Sequence, residues 1–136
     1  MNAKRNLFLN VIATVEGATG LGLLLLPSVP FALLLRLESA TVEASFVGRI
    51  AGAALLALGV ASWMARKDEL NPSLFGMIIG ILIYNTAVSI LLVYAAAFLK
   101  MTGVILWPTV AFHALLAVWG GLLLRGFPSE TQLETR

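Results

Sequence analysis

The chain contains no cysteine and few charged residues. With 136 residues and 0 Cys, it cannot form disulfides, thiolate metal sites or cysteine-held iron–sulfur clusters. Charged residues make up 12% of the chain, against about a quarter in ordinary soluble domains. Hydrophobic residues make up 60%. This composition excludes a soluble globular domain and favours a membrane protein.

Basic residues and metal ligands are also sparse. The net charge is only +2, and no basic arm, zinc-ligand spacing or RNA-binding motif is visible, so nucleic acid is not expected as a partner. One histidine gives too few ligands for a zinc site, which needs three or four, and a haem would have to use it as its sole histidine ligand. We therefore expect no metal and no other cofactor.

The apolar residues are concentrated in four long stretches. At about 1.5 Å per residue, each stretch is long enough to cross the ~30 Å hydrocarbon core of a bilayer as a helix. We predict an all-α membrane protein with one transmembrane domain over residues 1–136, folded as an antiparallel four-helix transmembrane bundle. The expected spans are approximately 7–26, 44–65, 74–99 and 102–124.

The connections between the spans carry local signals. Pro27 and Pro30 end the first span, because proline interrupts helical hydrogen bonding. The apolar segment FALLLRL that follows is too short to span, so it predicts a short interfacial helix between helices 1 and 2. Asn71 or Ser73 is expected to cap the third span beside Pro72.

The distribution of Lys and Arg predicts the orientation. Cytoplasmic ends of spans carry an excess of these residues. We therefore predict a multi-pass protein of the cell (plasma or inner) membrane with both termini in the cytoplasm. The side assigned to the cytoplasm holds Lys4, Arg5, Arg66, Lys67, Arg125 and Arg136, and the opposite side holds Arg36 and Lys100.

Small residues recur at helical spacing in every span. In lipid, such residues let helix backbones approach closely. They favour packing within one chain, but they equally suit an interface with a second copy or with a partner membrane protein. The expected partners are therefore membrane lipids and a homo-oligomer or partner membrane protein. Examples are Ala13 and Gly17, Gly48 and Gly52, Gly76 and Gly80, and Ala117 and Gly120.

Each span also contains a conspicuous polar residue. These are Glu16, Arg49, Asn85 and His113, and Tyr84 adjoins Asn85. Counted from the outer end at about 1.5 Å per residue, Glu16 and His113 lie at nearly the same depth, about 15 Å. Polar groups at that depth need partners. The five residues are therefore a candidate intramembrane cluster that could bind a proton or a ligand.

Two interpretations of this cluster are open. In the first, Glu16 and Arg49 form a buried ion pair that fixes helix register, and the chain is a structural or accessory membrane subunit. In the second, Arg49 extends outward to the headgroups, and Glu16 titrates and couples to His113 as a proton or cation site of a small transporter. An enzyme is a third possibility, although no residue is assigned a catalytic role.

Four short spans with a lone Glu midway along the first resemble the small multidrug resistance exporters. In that family the first-helix Glu exchanges protons for a cationic drug, so the resemblance implies such a role for Glu16. The chain departs from the pattern in its long first connection and in carrying Arg49 and His113. Its six-to-two bias of basic residues also argues against the dual insertion common among those exporters.

Overall fold

The computed structural model describes residues 2–37 and 39–127, and over these residues it is entirely helical apart from turns and connections. Four of its helices are long and apolar enough to cross a membrane. The prediction of an all-α chain with four long apolar helices is therefore confirmed. Arg136, counted in the charge bias, lies outside the described residues. The helices are α1 (Asn2–Leu25), α2 (Ser28–Leu35), α3 (Val42–Ala65), α4 (Pro72–Ala97) and α5 (Leu106–Leu124).

Two of the long helices begin at side-chain caps. The Oδ1 atom of Asn71 accepts a hydrogen bond from the Leu74 N–H at 2.8 Å, as the sequence predicts. Pro72 then occupies the start of α4. A backbone N–H at this position would have no partner within the helix, so proline, which lacks the N–H, costs no hydrogen bond there. The side chain of Thr41 caps α3 in the same way, accepting from Ala44 at 3.2 Å.

α1 and α3 contact each other through glycine backbones. A Cβ atom placed on Gly20 would lie 2.7 Å from the Gly52 carbonyl oxygen, and one placed on Gly59 would lie 2.8 Å from the Gly17 nitrogen. Neither site has room for a side chain. The same face of α1 therefore meets α3 at two glycine positions about one helical turn apart.

α4 and α5 pack together through larger side chains. The rings of Phe75 and Phe127 lie 5.3 Å apart at one end of this pair, and Asn85 meets His113 nearer the other end. The buried core joins α1 to this second pair and consists of Phe8, Leu9, Ile12, Leu74, Ile78, Ile81, Leu116 and Leu123.

The short helix α2 is held by backbone hydrogen bonds from the segment that precedes α5. Gly103 donates to the Leu34 carbonyl at 3.1 Å, and Ile105 donates to the Leu33 carbonyl at 3.2 Å. The helix ends at Arg36, which has a left-handed backbone with φ of 58°. None of the α2 residues is fully buried. These bonds tie the long first connection to the start of the last helix.

Candidate functional site

Glu16 lies between the α1–α3 pair and the α4–α5 pair. Its side chain is 1% exposed. The hydroxyl of Tyr84, on α4, donates a hydrogen bond to Oε2 of Glu16 at 3.0 Å. The other carboxyl oxygen, Oε1, is buried and has no hydrogen-bond partner within the described part of the chain. The carboxyl group therefore has one neutral donor as its hydrogen-bonded neighbour.

The direction of the Glu16 side chain follows from its phase on α1. Leu9 and Ile12 are fully buried in the core shared with α4 and α5, and Glu16 follows Ile12 by one helical turn. Gly17 and Gly20 lie on the neighbouring face, which contacts α3. The buried face of α1 thus directs the carboxyl group of Glu16 toward α4.

Tyr84 connects Glu16 to a second polar pair. Its ring meets the His113 ring edge-on, with centroids 5.8 Å apart. Asn85, the next residue of α4, is fully buried and lies opposite His113 of α5. The Nδ1 atom of His113 and the Oδ1 atom of Asn85 are 2.8 Å apart. Glu16, Tyr84, Asn85 and His113 therefore form one cluster across three helices, which we call the polar cluster.

The hydrogen bonds of Asn85 fix the tautomer of His113. The Nδ2 atom of Asn85 donates to the Ile81 carbonyl at 2.8 Å. The Oδ1 atom consequently faces the imidazole, and an amide oxygen only accepts. Nδ1 of His113 must therefore carry the proton, which leaves Nε2 as the basic nitrogen of the neutral ring.

Arg49 does not join the polar cluster. Its side chain is exposed on α3, and within residues 2–37 and 39–127 no hydrogen bond or ion pair links it to Glu16. The Glu16–Arg49 ion pair of the first interpretation is thus not formed in the described part of the chain. Glu16 faces α4 rather than α3. On α3, Gly59 is the residue that packs beside Gly17. Arg49 lies ten residues before Gly59, which corresponds to about 15 Å of helix rise.

Two buried polar residues were missed by sequence reasoning. Arg5 is 5% exposed and donates from its guanidinium to the Asp68 carbonyl at 2.6 Å, which ties the start of α1 to the α3–α4 connection. Ser62 is fully buried, and its Oγ has no partner in the described structure. The burial of Ser62 could have been predicted from its spacing, because Ser62 continues the face of α3 formed by Gly48, Gly52 and Gly59.

The polar cluster contains two residue types that bind metals, Glu16 and His113. A group of three His, Asp or Glu side chains suited to a metal is not found among the described residues. The polar cluster places a carboxyl group, a phenol and an imidazole next to one another in space. These groups can accept, hold and pass protons.

Comparison with known proteins gives no family for the chain. No family model, no curated protein and no solved structure matches it.

Proposed function

We propose that this chain is a small proton-coupled membrane transporter in which Glu16 binds the coupling proton. The observation that carries the proposal is the environment of Glu16. Its side chain is 1% exposed, and its hydrogen-bonded neighbour is the neutral hydroxyl of Tyr84 at 3.0 Å. An unpaired buried carboxylate is costly, and binding a proton removes that cost.

His113 places a second titratable group beside this site. Its tautomer presents Nε2 as a base, and its ring packs edge-on with the ring of Tyr84, which itself donates to Glu16. Intramembrane chains of acids and histidines are the usual material of proton relays. Arg49, being exposed, extends to the headgroups and leaves the polar cluster without a fixed positive charge.

The proposed setting is a cell (plasma or inner) membrane with both termini in the cytoplasm. The four long helices form an antiparallel bundle in one transmembrane domain, and α2 lies at the outer interface with the exposed Arg36 among the headgroups. Four short helices enclose little space, so the working form is a homo-oligomer or a complex with another membrane protein. Gly76 and Gly80 of α4, which face open space, suit that contact.

A structural or accessory subunit is the second candidate. It is favoured by the hydrogen bonding around Asn85, where Nδ2 and Oδ1 both have partners and Ser89 donates to the backbone carbonyl at 2.9 Å. Fully bonded buried groups are typical of networks that fix how helices pack. In this case Glu16 would keep its proton permanently.

Proton binding by the purified protein distinguishes the two candidates. We expect the wild-type protein to take up one more proton than Glu16→Gln when the pH is lowered from about 9 to about 5. Glu69→Gln, which removes an exposed acid from the α3–α4 connection, is the control for loss of an ordinary carboxyl. Equal uptake by the wild-type protein and Glu16→Gln would favour the structural subunit and contradict the transporter.

A further inference from the structure

The buried core lies on one side of the polar cluster only. Its members in α1 and α4 precede Glu16 and Tyr84 in the chain, and its members in α5 follow His113. The contacts of Tyr84 with Glu16 and His113 place these three residues at one level between the helices. The core therefore fills the space between the polar cluster and the end of the protein that holds the α3–α4 connection. We call the other end, where α2 is bonded to the segment before α5, the α2 end.

The face of α1 that meets the α4–α5 pair is covered before Glu16 and uncovered after it. Ile12 and Thr19 are seven residues apart and so lie on nearly the same face, with Glu16 between them along the helix. Ile12 is fully buried in the core, whereas Thr19 is exposed. Leu26, another seven residues along, is 62% exposed. Burial on this face thus ends at the polar cluster.

The facing side of α4 shows the same change. Met77 packs against the core, and Tyr84, seven residues along, donates to Glu16. Leu91, another seven residues along, is 63% exposed. The two helix pairs therefore contact each other up to the polar cluster and separate beyond it, toward the α2 end.

This separation leaves an opening between the pairs, while each pair stays packed within itself. Leu92 follows Asn85 on the side of α4 that faces α5, and it is only 8% exposed. A Cβ atom placed on Gly52 would lie 2.9 Å from the Cβ of Leu23, so α3 still contacts α1 beyond the polar cluster. Backbone hydrogen bonds from the segment before α5 to α2 join the two pairs again at the α2 end. The opening is therefore bounded by the polar cluster and by α2.

Thr19 places a hydroxyl in this opening, about 4.5 Å of helix rise from Glu16. The hydroxyls of Thr14, Thr86 and Thr109 each donate to the backbone carbonyl four residues earlier. Thr19 makes no such bond among the residues that the structure describes. Its hydroxyl is therefore free to donate to water and to accept from it.

We propose that Glu16 exchanges its proton through this opening, from the α2 end, with a water molecule bound at Thr19 as the last carrier before the carboxyl group. The inference rests on the proposed function, since it requires Glu16 to bind and release a proton. The Thr19 hydroxyl and the unpartnered Oε1 of Glu16 supply the polar partners that an internal water needs. Toward the other end, Leu9 and Ile12 are fully buried apolar residues that close the path.

The reactivity of single cysteines tests the opening independently of proton binding. Thr19→Cys and Thr86→Cys place thiols at similar depths, because Tyr84 lies level with Glu16. Thr86 is also exposed, but it lies two residues after Tyr84, about 160° around α4, and so faces away from α1. A small membrane-impermeant methanethiosulfonate, added from the side that labels Lys100→Cys, should modify Thr19→Cys at least about ten-fold faster than Thr86→Cys, since a thiol surrounded by lipid does not form the reactive thiolate.

Thr19→Val tests the hydroxyl itself, because valine keeps the shape of the side chain and removes its hydrogen bonds. The readout is the rate at which the infrared band of the Glu16 carboxyl shifts after the reconstituted protein is transferred to heavy water. We expect Thr19→Val to slow this exchange about ten-fold, which is the scale of one hydrogen bond. Thr86→Val, the matched control on α4, should leave the exchange rate unchanged.

Three results would overturn the entrance while leaving proton binding by Glu16 intact. Equal reactivity of Thr19→Cys and Thr86→Cys would show that Thr19 faces lipid or a second copy of the chain. Labelling of Thr19→Cys only from the side that labels Lys67→Cys would place the entrance at the other end. An unchanged exchange rate in Thr19→Val would remove the role of the hydroxyl. A Glu16 band that never exchanges, although Thr19→Cys is labelled as expected, would instead contradict the proposed function and the entrance with it.

Discussion

The hydroxyl of Tyr84 donates to the carboxyl of Glu16 at 3.0 Å and so joins α4 to α1 in the interior of the protein. The bond lies where the α1–α3 pair meets the α4–α5 pair. A change in the protonation of Glu16 alters the acceptor strength of this oxygen. The same bond is therefore suited to link a proton to the relative position of the two helix pairs.

Tyr84→Phe should weaken this contact between the pairs. It leaves the carboxyl of Glu16 without a hydrogen-bond donor, and we expect a loss of about 1 kcal/mol in the free energy of unfolding, measured by titration with a denaturing detergent. Tyr94→Phe is the matched control, because Tyr94 is 49% exposed and its ring stacks on Phe98 without needing the hydroxyl. Equal stability of the two variants would show that the hydrogen bond from Tyr84 to Glu16 contributes nothing to the free energy of unfolding.

Asn85→Leu should destabilise the α4–α5 pair. The substitution leaves Nδ1 of His113 buried without its acceptor, which costs about 1–3 kcal/mol. His113→Leu combined with Asn85→Leu should cost clearly less than the two single variants together, because removing both partners leaves no unsatisfied group. Additive losses in this double-mutant cycle would mean that the two side chains do not interact.

Gly20→Ala should disturb the packing of α1 on α3. The added Cβ would lie 2.6 Å from the backbone nitrogen of Leu56, which cannot move without shifting the helix. A loss of about 1–3 kcal/mol in the free energy of unfolding is expected. Gly80→Ala adds the same methyl group in open space and should be neutral or slightly stabilising. Similar effects at both positions would contradict the close backbone contact.

Single cysteines in a chain that has none report the orientation directly. Lys67 and Lys100 are both exposed, and they lie in the connections before and after α4. With both termini in the cytoplasm, a membrane-impermeant maleimide added to intact cells should label Lys100→Cys and spare Lys67→Cys. Labelling of Lys67→Cys alone would mean that the chain is inserted the other way round.

The long helices could be predicted because each apolar run matches the thickness of a bilayer and proline marks the end of the first. Grouping Tyr84, Asn85 and His113 with Glu16 was also possible, since depth along a span can be counted from the sequence. The structure brings these four residues together.

The partner of Glu16 could not be predicted in the same way. Depth does not give rotation, and one residue along a helix turns the side chain by about 100°. Glu16 therefore faces α4, while Gly17 faces α3, and Arg49 cannot reach the carboxyl group. Whether Glu16 pairs with Arg49 or joins a cluster of uncharged groups depends on the rotation of α1 about its axis. The packing of the other helices sets this rotation.

The central claim is that Glu16 reversibly binds a proton inside the membrane. Infrared difference spectroscopy of the reconstituted protein observes this directly, with Glu16→Gln identifying the carboxyl band. We expect a protonated-carboxyl band that disappears and returns as the pH is raised and lowered, shifts promptly in heavy water, and is missing in Glu16→Gln. A Glu16 band that neither responds to pH between about 4 and 10 nor exchanges with heavy water would contradict the claim and leave Glu16 as a sealed structural group.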